Sequence, residues 1–93
     1  MLNLKYESAT KDFVEILRGT SDKNLDFADL RLLLISLGFG ERVRGSHHIY
    51  TKADVIEILN LQPNGHLAKP YQVKQVREIV LKYKLAEDDD ANE

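Results

Sequence analysis

The sequence predicts an α+β domain in the order helix, helix, three antiparallel strands, helix, and three observations carry that expectation. Residues 27–37 place Phe27, Leu30, Leu33, Leu34 and Leu37 at the three- and four-residue spacing of a half-buried helix, and Gly38 closes it. Residues 39–62 are rich in β-branched, aromatic and aliphatic side chains and are cut by two turn dipeptides, Gly45-Ser46 and Ala53-Asp54. Pro70 then suits the first position of a helix whose apolar stripe is Val73, Val76, Val80 and Tyr83.

Taken in order, residues 10–18 form a short predicted helix, with Phe13, Ile16 and Leu17 on one stripe and Gly19 ending it. A polar loop over residues 20–24 follows. Asp26 is positioned as the N-cap of the second helix, because a short acidic side chain there can accept from the first free N–H groups. The strands fall at residues 39–44, 47–52 and 55–62. Pro63-Asn64-Gly65 is a strong turn signal, and the last helix opens at Lys69-Pro70. Residues 1–25 are thus an N-terminal extension, 26–85 the domain, and 86–93 an acidic tail expected to be disordered. Without the first helix the order is α-β-β-β-α, two helices on one face of a three-stranded sheet. That is the layout of the double-stranded RNA-binding domain.

Composition narrows the function classes. At 93 residues, 43% hydrophobic and 30% charged, this is one soluble globular domain with a modest core. Cysteine is absent, which excludes disulfides and thiolate metal sites and suits a reducing cytoplasm. The N-terminus lacks an apolar segment of signal-peptide length, and the longest apolar run, residues 32–35, is far short of the roughly 20 residues of a membrane span. The net charge of −2 conceals a segregation. Glu87, Asp88, Asp89, Asp90 and Glu93 crowd the tail, whereas residues 41–85 carry Arg42, Arg44, Lys52, Lys69, Lys74, Arg77, Lys82 and Lys84 against Glu41, Asp54, Glu57 and Glu78. A basic half points to an anionic partner.

The chemistry concentrates in Arg44-Gly45-Ser46-His47-His48-Ile49-Tyr50. Histidine exchanges a proton near neutral pH, and two histidines follow a Gly-Ser turn with Arg42, Arg44 and Lys52 nearby. Strand alternation puts His47 on a face with Ile49, and His48 on the other with Tyr50 and Lys52, which favours His48 as the exposed one. Lys69 and Pro70 open a helix whose free N–H groups form a phosphate seat, and Lys74 and Arg77 lie three apart on its polar side. No acidic pair joins His47, His48 or His66 at metal-ligand spacing, so no metal and no small-molecule cofactor is expected.

The segment Leu37-Gly38-Phe39, then Arg42-Val43-Arg44-Gly45-Ser46-His47-His48-Ile49-Tyr50, then Leu67-Ala68-Lys69-Pro70 opening a terminal helix, resembles the HicA toxins. These are small ribonucleases of toxin–antitoxin pairs with a double-stranded-RNA-binding-like fold. The resemblance covers about residues 27–85. It implies a cytoplasmic, metal-independent endoribonuclease acting on mRNA and held in check by a HicB-like antitoxin. It carries the catalytic histidine onto His47, with His48 the second candidate. Arg42, Arg44, Ser46, Lys69, Lys74 and Arg77 are the candidate RNA contacts. Two other classes remain open from the residues alone: a non-catalytic RNA-binding module, and an interaction domain whose histidine pair is structural.

Overall fold

A computed structural model describes Gly19 and residues 22–85; the helix expected over residues 10–18 and the tail 86–93 lie outside the described residues. The fold is α+β: helix α1 (Phe27–Ser36), strands β1 (Gly40–Arg44), β2 (His47–Lys52) and β3 (Val55–Leu61), and helix α2 (Pro70–Lys82), with one 3-10 turn at Asp22–Asn24. The strands form one antiparallel sheet in the order β1-β2-β3. Among the described residues no helix is long and apolar enough to cross a membrane.

Both helices cover one face of the sheet. Leu30, Leu33 and Leu34 of α1 and Val73, Val76, Ile79 and Val80 of α2 join Tyr50, Leu59 and Leu61 in a single buried cluster. The end of α1 shows how sequence fixes local geometry. Gly38 takes φ +97°, its N–H donates to the Ile35 carbonyl, and the Phe39 N–H reaches back to Leu34. This left-handed closure satisfies the last free carbonyls and turns Phe39 into the core. Phe39 is therefore spent on closing the helix, and β1 begins one residue later than the composition suggested.

The two helices point the same way relative to the sheet. The Phe27 ring, at the start of α1, meets the His48 ring edge-on at 4.9 Å, while Lys52 Nζ lies 3.2 Å from where a side chain on Gly38 would begin. At the other end of α2, Lys82 and Tyr83 both bind the Glu57 carboxylate, at 2.7 and 2.6 Å, near the start of β3. Both helix N-termini consequently sit at the end of the sheet that carries the Gly45-Ser46 turn. The turn over residues 64–67 ties them together: Phe27 N–H donates to the His66 carbonyl, Ala68 N–H to Leu25, and the Asp26 carboxylate accepts from His66 Nδ1 at 2.9 Å.

That last contact revises the expected cap. Asp26 occupies the N-cap position, but its side chain makes no capping bond. Its backbone carbonyl takes the first helical N–H groups, and its carboxylate is diverted to His66. In β3, register slips between the Tyr50–Leu59 and Lys52–Val55 pairs, so Ile56, Glu57 and Ile58 face Thr51 alone. By strand alternation Ile56 and Ile58 fall on the side away from the helices, where they are 87% and 64% exposed.

Candidate functional site

Cross-strand register divides the sheet residues cleanly between two faces. Glu41, Tyr50 and Leu59 align on the helix-covered side, and Val43, His48 and Leu61 beside them. Arg42, Ile49 and Asn60 align on the open side, and Arg44 pairs with His47 there. Tyr50 is wholly buried, so the face it shares with His48 is the core face. The expectation that His48 is the exposed histidine is thus overturned: His47 is exposed, and the His48 side chain keeps 18% of its accessibility. Alternation was the right rule, but Tyr50 acts as a core residue rather than a surface one.

His48 belongs to a polar network beneath the sheet. Glu41 accepts two bonds from Arg31, Nε at 2.6 Å and Nη2 at 2.7 Å, one from the Tyr50 hydroxyl at 2.5 Å, and a longer 3.3 Å contact from His48 Nδ1. These donors hold the Glu41 carboxyl down at about 2, the forked Arg31 pairing being the largest cause. Burial, reinforced by Glu41, pushes the Tyr50 hydroxyl well above its ordinary range. His48 is a packing and hydrogen-bonding residue in this arrangement.

The open face is built differently. His47 opens β2 directly after the tight turn at Gly45 (φ +58°), and its Nδ1 lies 3.1 Å from Asn60 Oδ1 on β3. Arg44, its register partner on β1, shares the face, with Cβ atoms about 5 Å apart for such a pair. Ser46, in the turn, has its hydroxyl oxygen bonded at 2.8 Å by Gln62 Nε2. Arg42 and Ile49 continue the face, and the exposed Ile56 and Ile58 border it.

The candidate RNA contacts fall into two groups. Arg42, Arg44, Ser46 and His47 are brought together on the open face and its turn. Lys69 is the N-cap of α2 and sits at the same end of the molecule, where the positive ends of both helices point. Lys74 is exposed on α2, in the layer covering the opposite side of the sheet. Arg77 lies farther along α2, its Nη1 3.2 Å from where a side chain on Gly19 would begin. The structure does not bring Lys74 or Arg77 to His47. Among the described residues no group of three histidine and acidic side chains is placed to hold a metal ion.

Sequence reasoning passed over Asn60, Gln62, Ile56 and Ile58. Asn60 had one legible signal, a polar residue interrupting the aliphatic run Ile58-Leu59-Asn60-Leu61 at the parity of a solvent-facing position. Ile56 and Ile58 had none, because aliphatic residues in a strand read as core. No protein-family model matches the chain, and neither a curated protein nor a solved structure is significantly similar to it.

Proposed function

We propose that this chain is a HicA-like toxin, a cytoplasmic endoribonuclease of double-stranded-RNA-binding-like fold that cleaves mRNA with His47 as general base. The observation that carries this reading is the exposed His47 imidazole beside Arg44 on the open sheet face. In the proposed reaction His47 removes the 2′-OH proton and the 2′ oxygen attacks the adjacent phosphorus. The bond to the 5′ oxygen breaks, and that oxygen takes a proton from solvent. The products are a 2′,3′-cyclic phosphate and a 5′-hydroxyl end. Arg44, the register partner of His47, and the Ser46 hydroxyl in the preceding turn would stabilise the charge that develops on the phosphate.

The same face suits a HicB-like antitoxin. Arg42 and Arg44 offer positive charge to an acidic partner, and Ile56 and Ile58 offer apolar area that a lone domain leaves in water. Expression of the chain alone is expected to arrest growth, and co-expression with an adjacent small gene to relieve it. The purified chain should cleave RNA in excess chelator. Normal growth at high soluble expression, or activity lost to EDTA and restored by a divalent ion, would overturn the reading.

A second reading has its own support: Lys69 at the N-cap of α2 and the exposed Lys74 farther along it lie outside the open face that carries His47, and suit non-catalytic phosphate contacts along an RNA. The two readings differ in which cations matter. Under the nuclease reading, Arg44→Gln weakens RNA binding and lowers the salt dependence by about 0.7 for each phosphate of a single strand that the protein no longer neutralises, while Lys74→Gln does less. Anisotropy titrations over a salt series, in a His47→Ala background, measure both. A larger effect at Lys74 would favour the binding-module reading.

A further inference from the structure

Asn60 of β3 and Gln62, the residue just after it, touch His47 and Ser46 at the turn end of the open face. Asn60 Oδ1 lies 3.1 Å from His47 Nδ1, and Gln62 Nε2 donates to Ser46 Oγ at 2.8 Å. Both cross from β3, or the residue just after it, to β2 and its leading turn. Neither bond belongs to the backbone ladder. Each fixes the unused capacity of the group it meets, by elementary donor and acceptor counting.

An amide oxygen only accepts. The Asn60 contact therefore places the proton of neutral His47 on Nδ1 and leaves the lone pair on Nε2. The pairing also restrains ring rotation about the bond to Cβ, on a side chain that is otherwise exposed and free to turn. At Ser46 the Gln62 amide occupies an oxygen lone pair, so the hydroxyl hydrogen stays available as a donor. Asn60 and Gln62 thus set up an acceptor of protons on His47 and a donor on the adjacent Ser46.

We infer that Asn60 is a positioning residue that holds His47 in the Nδ1–H tautomer, with Nε2 directed to the substrate, and that Gln62 serves Ser46 in the same manner. This rests on the nuclease reading only for its catalytic consequence; the tautomer itself is a property of the free protein. The bond is solvent-exposed, and a net contribution of about 0.5–1.5 kcal/mol corresponds to a loss of about two- to tenfold when it is removed.

The test combines two readouts on the full chain. Nitrogen-15 NMR of the imidazoles is expected to show His47 of the unsubstituted protein mainly as the Nδ1–H tautomer. In Asn60→Ala that population should fall toward the Nε2–H form, and single-turnover cleavage should drop about two- to tenfold with KM unchanged. Asn60→Asp keeps an oxygen in place and should restore the Nδ1–H tautomer, which a purely structural role for Asn60 would not require. A dominant Nε2–H form in the unsubstituted protein, or a tautomer indifferent to Asn60→Ala, would overturn the inference. If the unsubstituted protein cleaves no RNA, the nuclease reading fails while the tautomer measurement still decides the role of Asn60.

Discussion

Under the nuclease reading, replacement of His47 by alanine is expected to lower RNA cleavage by about 10²–10⁴-fold and to abolish growth arrest, with almost no change in stability. The dissociation of the two effects follows from placement. His47 projects from the open face into solvent and gives the core nothing, so its loss removes proton transfer and one exposed hydrogen bond. His48→Ala is expected to do the reverse. It deletes an edge-to-face contact with Phe27 and a contact to Glu41, costing about 1 kcal/mol, while the folded fraction still cleaves. Single-turnover cleavage and urea denaturation of both variants separate these outcomes. If His48→Ala abolishes cleavage and His47→Ala does not, the base lies beneath the sheet. If both cleave normally, neither histidine is the base.

From residue 27 onward the element order was legible from periodicity because apolar spacing and turn residues agree along the chain. Helix α1 was expected over 27–37 and runs Phe27–Ser36; α2 begins at Pro70 as expected; the β1–β2 and β2–β3 turns stand where Gly45-Ser46 and Ala53-Asp54 put them. The faces of the sheet were harder. In β3 the inward set is Val55, Glu57, Leu59 and Leu61 and the outward set is Ile56, Ile58 and Asn60. Both sets mix apolar with polar residues, so hydropathy cannot say which one packs. In β2 the decision hangs on Tyr50, whose hydroxyl makes it ambiguous until Glu41 is seen to accept from it. Glu41 in turn is tolerated under the sheet because Arg31, ten residues earlier and on another element, pairs with it. Such long-range pairings leave no periodic trace. The same holds for Asp26, whose natural capping role is overridden by His66 forty residues away.

That Glu41 network predicts a large stability effect without touching the open face. Glu41→Ala removes a forked, charge-assisted pairing with Arg31 and leaves the Tyr50 hydroxyl inside the core with no acceptor. Arg31 is partly exposed and can return to water, but Tyr50 is fully buried and cannot. The expected cost is about 3 kcal/mol, most of it from the stranded hydroxyl and the missing charged bonds, which is a large share of a small domain's stability. Tyr50→Phe should cost less, about 1 kcal/mol, because Glu41 keeps Arg31. The double variant should be less destabilised than the two single effects added, since no orphaned hydroxyl then remains. The sign of the pH dependence follows from the depressed Glu41 carboxyl. Its contribution is fully present above about 4.5 and is lost as pH falls toward about 2. Glu57, held down by Lys82 and Tyr83, titrates in the same window, so Glu57→Gln is the necessary comparison. Urea midpoints of the unsubstituted chain should therefore decline between about pH 4.5 and 2, and Glu41→Gln should flatten that decline more than Glu57→Gln does. An equal slope in Glu41→Gln and the unsubstituted chain would show that the network beneath the sheet does not couple folding to that carboxyl.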